Sequence, residues 1–226
     1  MHNIMSLPAN VISLRHLLAE RFPETQVLRR SATRIQSGIA CLDAVGWTSG
    51  SVVEVVGARA GAGAGLLLSA LLEGQGQEVL RMMALVDGAD AFHPWGLSSA
   101  ALERLLWVRC YDAKQAVRAA DLLLRDGNLS WVLMDVQLQA ERDLRRIPAQ
   151  VWHRLRMLAE KSGVAFCVFT PVPLVPCTKG RLILEQKFLL EDLDELRPAL
   201  VERLAGRVAR GGMEAQHLEQ SRALAG

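Results

Sequence analysis

The chain has 226 residues, of which 50% are hydrophobic, and its formal net charge is +2. This length and composition suffice for one domain with a full core and short appendages. The small net charge excludes a bulk polyanion binder, so any nucleic-acid contact must come from a local cationic patch.

Targeting segments and metal motifs are not predicted. No run of about 18 apolar residues exists, so we expect no membrane span. The N-terminus lacks the charged and then apolar pattern of a signal peptide. The four cysteines form no CxxC pair and no histidines cluster near them, which predicts reduced thiols in a cytosolic protein and no metal site. These cysteines are Cys41, Cys110, Cys167 and Cys177.

The chain begins with a predicted amphipathic helix over residues 10–22, capped by Asn10, in which apolar side chains recur at helical spacing. A polar linker follows, so residues 1–30 are predicted to form an N-terminal helix and linker. The main domain is predicted to span residues 31–190.

Strands and helices alternate from residue 51 onward. Strands are predicted at 51–57, 80–87, 105–110, 131–136 and 164–170, and helices at 64–76, 93–105, 112–127 and 148–163. Near-continuous apolar strands between amphipathic helices predict an α/β fold with a mostly parallel sheet covered on both faces. Ligands of such sheets bind beyond the carboxyl ends of the strands. Those ends are Gly57, Asp87, Cys110, Asp135 and Thr170.

The C-terminal region is predicted to cover residues 191–226. The stretch 179–192 fits either a strand or the start of a helix. Residues 194–212 predict a basic amphipathic helix that ends at Gly211 and Gly212 and carries Arg203, Arg207 and Arg210 at helical spacing. Residues 213–226 lack the pattern of a core element, so a mobile tail is expected.

A glycine-rich turn follows the first strand. A phosphate-binding loop has the spacing Gly, four residues, Gly, Lys, Ser or Thr. Counted from Gly57, the second glycine, the lysine and the hydroxyl are replaced by Ala62, Gly63 and Ala64. Each lost charge-assisted contact costs about 1.5–3 kcal/mol, so useful ATP affinity should be lost. We therefore interpret the turn as a vestigial nucleotide loop formed by Gly57, Gly61, Gly63 and Gly65, with Asp135.

Three alternatives for this turn stay open. It could bind ATP weakly and switch conformation without hydrolysis. Gly57, Gly61 and Gly63 also fit the spacing of NAD(P)-dependent short-chain oxidoreductases, although Tyr111 and Lys114 are three residues apart where that family's catalytic pair is spaced by four. Finally, the turn could simply pack a strand against a helix, which needs no ligand.

The chain from about Ile35 to Thr170 resembles the core of the RecA family in the order and spacing of its motifs. The matching stretches are IQSGIACLDAV at 35–45, GSVVEVVGARAGAGAG at 50–65, ALVDGADAFHP at 84–94, GNLSWVLMDV at 127–136 and RLRMLAEKSGVAFCVFT at 154–170. The resemblance implies a RecA-like core in which Asp135 takes the place of the magnesium-site aspartate.

The departures from that family pattern bear on activity. The family's catalytic glutamate falls on Ala89, its loop lysine and hydroxyl on Gly63 and Ala64, and its switch glutamine on Pro171. The resemblance therefore implies a pseudo-ATPase that keeps the fold but has no catalytic residue and no cofactor.

A RecA-like chain of this size without an ATPase resembles the ImuA family of the bacterial SOS mutagenesis cassette. That resemblance implies a non-catalytic adaptor in DNA-damage-induced translesion synthesis, located in the cytoplasm at the nucleoid. The implied partners are an ImuB-like Y-family polymerase homologue without activity, RecA, and indirectly an error-prone replicative-type DNA polymerase. A SulA-like cell-division inhibitor is the second RecA-like alternative, but SulA is shorter and less of its pattern is present.

Binding surfaces are the expected functional sites of such an adaptor. Arg142, Arg145 and Arg146 follow the Asp135 strand, where the RecA resemblance places a DNA-contacting loop, and Trp152 and Arg154 come next on a helix. Arginine beside an aromatic ring suits a protein hot spot or single-stranded DNA, and the small net charge favours protein. The alternative is a solvated helix start with Trp152 in the core.

Two further segments are candidates for special roles. The predicted tail helix with Arg203, Arg207 and Arg210 could dock in a partner's groove or fold back on its own domain. The stretch FTPVPLVPC at 169–177 contains three prolines, which predict a stiff extended segment that shapes an edge of the sheet.

Overall fold

The computed structural model describes residues 32–57, 59, 61–74 and 82–210, all within the unit Ala32–Gly226. The predicted helix over 10–22 and the predicted mobile tail over 213–226 lie outside the described residues. Among the described residues, no helix combines the length and the apolar character that crossing a membrane requires.

Seven strands form one mixed sheet in the order β3-β2-β4-β5-β1-β6-β7. The first six are parallel wherever they pair, and β7 is antiparallel to β6. The strands are β1 (Val52–Val56), β2 (Met83–Asp87), β3 (Leu105–Arg109), β4 (Trp131–Asp135), β5 (Ala165–Thr170), β6 (Gly180–Leu184) and β7 (Gly206–Arg210). The predicted α/β class with a mostly parallel sheet and flanking helices is confirmed, and it is consistent with a RecA-like core.

The longer helices connect the strands and begin and end at local sequence signals. Asp112 accepts a hydrogen bond from the Gln115 N–H and so caps α4, and Gly127 ends that helix in the left-handed conformation. Gly163 ends α6 in the same way. The helices are α1 (Ala40–Asp43), α2 (Ala64–Glu73), α3 (Ser99–Leu102), α4 (Ala113–Asp126), α5 (Glu141–Leu144), α6 (Ala149–Ser162) and α7 (Arg197–Glu202), with a 3-10 helix at Leu190–Asp194.

Hydrophobic side chains cover both faces of the sheet. Val53 and Val55 of β1 point into one cluster, which the buried side of α2 completes. Val52 and Phe166 point into the other cluster, which α4 and α6 complete. This two-sided burial explains why the strands read as continuous apolar runs.

Two predicted helices differ from the observed elements. The helix predicted over 93–105 is reduced to α3, because Gly96 has a φ of 86° and the Ser98 side chain accepts a hydrogen bond from the Ala101 N–H, which starts the helix there. The helix predicted over 194–212 is wrong. Its first part is α7, and residues 206–210 form β7, in which Val208 pairs with Leu182 of β6.

The free edge of β6 explains the second difference. A helix over 206–210 would leave the backbone groups of that edge without strand partners, whereas β7 satisfies them. Gly206 also lies so close to β6 that an added Cβ would be 2.7 Å from the Ile183 carbonyl oxygen. Long-range pairing therefore overrides the helical periodicity of the arginines. The ambiguous stretch at 179–192 contains strand β6.

The sequence predicted that the proline-rich segment shapes an edge of the sheet, and this prediction is wrong. Its preceding strand, β5, lies in the interior between β4 and β1, while the edge strands are β3 and β7. The segment leads from β5 past β1 to β6, and Val175 within it is buried against the second hydrophobic cluster.

Candidate functional site

The glycine-rich turn joins β1 to α2 at the carboxyl end of the sheet. The Gly57 N–H donates to the Thr170 carbonyl oxygen at 3.0 Å, which anchors the start of the turn to β5. Gly61 and Gly63 have φ values of 76° and 87°, a region that glycine adopts without steric cost. Ala62 and Ala64 are buried in the core. The turn is thus anchored by its alanines, and its glycines supply the required backbone shape.

The chain itself fills the space above Gly63. A Cβ added at Gly63 would be 2.6 Å from Leu204 Cδ2 and 2.8 Å from Phe188 Cε2. The Phe188 N–H also donates to the Gly61 carbonyl oxygen at 2.8 Å. A side chain at position 63, which matches the phosphate-loop lysine, would therefore require the ends of the Leu204 and Phe188 side chains to shift. We call residues 185–204, which connect β6 toward β7, the cover segment.

Ionic contacts hold the cover segment in place. Arg203 pairs with Asp192 at 2.8 Å and with Glu195, and its guanidinium lies 5.4 Å from the centroid of the Phe188 ring. Hydrogen bonds from the Leu189 N–H and then from Arg203 hold the pKa of Asp192 below its usual value. On the loop side, Arg59 donates to the Glu185 carbonyl oxygen at 3.0 Å.

Asp135, the candidate magnesium-site acid, interacts with its own loop. Its Oδ1 accepts hydrogen bonds from the backbone N–H of Gln137 at 3.0 Å and from the side-chain amide of Gln137 at 3.1 Å. Burial raises the pKa of Asp135 despite these two bonds. The Oε1 of Gln137 lies 2.6 Å from the position of an added Cβ on Gly57. Gln137 therefore lies between the acid and the glycine turn.

Asp87, at the end of β2, stabilises the turn that follows it. Its carboxylate accepts hydrogen bonds from Ala91 N–H at 3.0 Å, Phe92 N–H at 2.9 Å and the Trp107 indole N–H at 3.2 Å. Asp87 is opposite Asp135 in the β2–β4 register. Ala89, which replaces the family's catalytic glutamate, brings only a methyl group to the same turn.

Potential metal ligands and cysteines lie apart from one another in the described part of the chain. Within the described ranges, no three His, Cys, Asp or Glu side chains come together in a way that could hold a metal ion. The cysteines are free thiols, of which Cys110 and Cys167 are buried and Cys41 and Cys177 are half-buried.

A buried ion pair lies beneath the proline-rich segment. The sequence did not predict it, because Glu54 is a single acid within an otherwise apolar strand. Glu54 is fully buried and pairs with Arg181 on β6. Its Oε1 accepts from the Thr170 hydroxyl at 2.9 Å and from the backbone N–H groups of Leu174 and Val175 at 2.8 and 3.2 Å. The carboxylate thus has several charge-assisted partners, which offset the cost of its burial.

The predicted arginine cluster lies on α5 and in the turn after it. The side chains of Arg142 and Arg146 are 82% and 79% exposed, and that of Arg145 is 46% exposed. Arg145 pairs with Glu141 at 2.7 Å, while Arg146 pairs with Asp143 at 3.2 Å. The structure therefore brings these three arginines together on one surface, where neighbouring acids partly neutralise them.

Trp152 requires a correction, because it was predicted to contact a partner or DNA. It is 3% exposed and packs in the second hydrophobic cluster, so its indole ring belongs to the core. Arg154 is on the surface and pairs with Asp121 at 2.7 Å. Burial raises the pKa of Asp121, but the hydrogen bonds from Arg125 and Arg154 outweigh it and leave that pKa below its ordinary value.

The three tail arginines do not share a helix face. Arg203 belongs to the cover segment, and Arg207 lies on β7 with its Nε 3.5 Å from Glu185 Oε1. Arg210 is the last residue of β7 and is opposite Gly180 of β6. Of the two alternatives for this segment, folding back on its own domain is seen at Leu204, which is buried, whereas Arg203 is tied into ion pairs within the cover segment. Phe188 and Leu204 were not predicted as part of the site.

Comparisons with protein families and with curated proteins identify no relative. No protein-family profile matches the chain, and no curated protein matches it.

Proposed function

We propose that the chain is a non-catalytic, RecA-like adaptor of the ImuA type in SOS-induced translesion DNA synthesis. In this proposal it binds an ImuB-like, inactive Y-family polymerase homologue and RecA, and reaches an error-prone replicative-type polymerase indirectly. A cytoplasmic, nucleoid-associated location follows from these partners. The observation that carries the non-catalytic part is the filling of position 63 by Phe188 and Leu204.

The filled position argues against nucleotide chemistry more strongly than the missing lysine alone. A phosphate loop stabilises ATP through an ammonium group and a metal-bound hydroxyl, and Gly63 and Ala64 supply neither. To admit a phosphate near Gly63, Phe188 and Leu204 would have to move, which would also disturb the contacts of Arg203. Ala89 offers no carboxylate to orient an attacking water.

The contact surface that best fits an adaptor role is the arginine cluster of α5. Exposed arginines on a short helix suit a protein partner, and weak contact with single-stranded DNA is compatible with the same charges. The acids Glu141 and Asp143 within the cluster reduce its attraction for phosphates. This charge balance favours a protein over DNA as its main partner.

The first test concerns nucleotides. We expect the purified chain to show neither saturable binding of a fluorescent ATP analogue nor hydrolysis of ATP with magnesium. Hydrolysis that is abolished by Gly63→Ala would overturn the proposal. Thermal stabilisation by NADP at sub-millimolar concentration would favour the oxidoreductase alternative instead, because a bound ligand stabilises the folded state by RT ln(1 + [L]/Kd).

The second test concerns partners. A tagged chain is used to capture proteins from damage-treated cells, beside a variant in which Arg142, Arg145 and Arg146 are changed to Glu. A variant with Lys114, Arg118 and Lys161 changed to Glu is the matched control, because it makes the same charge change at other exposed positions. We expect the first variant alone to lose the polymerase-like partner. Capture of metabolic enzymes without replication or recombination proteins would refute the assignment to mutagenesis.

A further inference from the structure

The most unusual surface of the molecule is a leucine-rich acidic stretch within the cover segment. Three leucines in residues 189–196 are strongly exposed, with Leu190 at 83%, Leu196 at 79% and Leu189 at 50%. A single exposed leucine is ordinary in a folded protein, but several together mark a surface that another molecule covers. We call residues 189–196 the leucine strip.

Trp95 extends the leucine strip from a distant part of the chain. Its side chain is 82% exposed. The following residue, Gly96, accepts a hydrogen bond through its carbonyl oxygen from Arg197 Nη1 at 2.7 Å. Because Arg197 directly follows Leu196, this bond places the Trp95 loop beside the end of the strip. Tryptophan is among the residues that most often dominate binding energy at protein interfaces.

Hydrogen bonds and ion pairs hold the backbone of the leucine strip in place although the strip is exposed. Asp192 accepts a hydrogen bond from the Leu189 N–H and pairs with Arg203, which also pairs with Glu195. Arg203 in turn lies over Phe188, whose ring packs on the glycine turn. A partner would therefore meet a preformed surface and lose little affinity to ordering it.

The charge of the strip indicates the chemistry of its partner. Residues 189–196 contain four acids and no base, whereas the whole chain has a net charge of +2. Arg203 pairs with two of these acids, Asp192 and Glu195. Glu191 and Asp194 are exposed, and among the described residues neither takes part in a salt bridge. Nucleic acid would be repelled by this charge. A segment with aliphatic side chains on one face and Lys or Arg beside them would complement both features.

We propose that the leucine strip and Trp95 form a docking surface for a basic amphipathic helix of a partner protein. The inference rests on the proposed function in one respect, namely that an adaptor without chemistry acts through its contact surfaces. It assigns the helix-binding role to the cover segment, which lies apart in sequence from the arginine cluster of α5.

Fluorescence anisotropy with a labelled peptide tests the surface. The probe is a short peptide of leucine and lysine arranged at helical spacing, with one control peptide in which glutamate replaces lysine and another with the same composition in scrambled order. We expect the full-length chain to bind the first peptide and neither control. Raising the salt concentration should weaken this binding, because the acids of the strip contribute to it.

Variants locate the binding. Changing Leu190 and Leu196 to Ser should weaken binding at least about tenfold, as expected for truncating interface anchors. Leu122→Ser is the matched control, because Leu122 is a leucine of α4 that is 68% exposed, and it should leave binding unchanged. Glu191→Lys should weaken binding and flatten its salt dependence, whereas Asp126→Lys, at the exposed end of α4, should not.

The docking surface would be refuted if the leucine–lysine peptide did not bind, if its binding survived the change of both leucines, or if the acidic control peptide bound equally well. Tighter binding of a peptide covering residues 8–31 of this chain would show that the strip is covered by the chain itself and not by a partner. A chain that captures the polymerase-like partner but binds no peptide would refute the docking surface alone. Peptide binding by a chain that hydrolyses ATP would refute only the proposed function.

Discussion

Replacing Gly63 by alanine tests whether the cover segment fills the glycine turn. The new methyl group would meet Leu204 Cδ2 at 2.6 Å and Phe188 Cε2 at 2.8 Å. Overpacking of this kind costs roughly 1–3 kcal/mol. The φ of 87° adds about 1–2 kcal/mol for a residue with a Cβ. We therefore expect Gly63→Ala to lower the free energy of unfolding by about 2–5 kcal/mol.

Gly65 provides the matched control two residues away. It lies in the first turn of α2, and a Cβ added there has no atom within 4 Å. Alanine is favoured over glycine inside a helix by roughly 0.5–1 kcal/mol, so Gly65→Ala should stabilise the chain by about that amount. Two identical substitutions two residues apart should thus have opposite signs, which shows that the loss belongs to position 63 and not to a general intolerance of the loop.

Urea unfolding followed by circular dichroism measures both variants, with the slope of the transition checked for constancy. The double variant Gly63→Ala with Leu204→Ala identifies the clash, because removing Leu204 should recover part of the loss caused by the alanine. A Gly63→Ala variant within about 0.5 kcal/mol of the wild type would refute the packing of the cover segment on the turn, and with it the main argument for the proposed function.

Three further predictions concern other parts of the molecule. Arg181→Leu leaves the carboxylate of Glu54 buried without its partner, so chemical denaturation should show a loss of about 3–5 kcal/mol. Asp135→Asn should be more stable than the wild type near neutral pH. The pKa of Asp135 is higher in the folded chain than its value of about 3.9 in the unfolded chain, so ionisation of this carboxyl lowers the free energy of unfolding as the pH rises through these two values. The free energies of unfolding of the two chains should therefore converge near pH 4. Trp152→Ala should lose about 3–5 kcal/mol because the ring is in the core, and loss of partner binding without loss of stability would contradict that placement.

The sequence predicted those parts of the fold that local patterns determine. Strands β1 to β5 and helices α4 and α6 lie close to their predicted positions, because the strands are continuous apolar runs and the helices combine amphipathic periodicity with start or end signals such as Asp112 and Gly163. Strand β7 was not predicted, because its residues have helical spacing and only the neighbouring edge of β6 makes them a strand.

The site was predicted only in part, because it too depends on contacts between residues that are far apart in the chain. The missing lysine and hydroxyl of the glycine turn are visible in the sequence, but the packing of Phe188 on Gly63 joins residues far apart in the chain. No local signal marks that contact. The sequence left the location of Trp152 open, because an aromatic residue near arginines fits either an exposed or a buried helix face. The packing of α6 on the sheet decides that it is buried.

The ion pair of Glu54 has a consequence for how the polypeptide is made. Its carboxylate contacts groups 116 to 127 residues further along the chain, on β5, on the segment after it and on β6. A nascent chain that ends at Thr170 would hold Glu54 in the interior strand β1 without Arg181, at a cost of about 3–5 kcal/mol, which is a large share of the stability of a small domain. We therefore expect the centre of the sheet to reach its final state during translation only after β6 has left the ribosome, and a fragment that ends at Thr170 to be less stable than the whole chain.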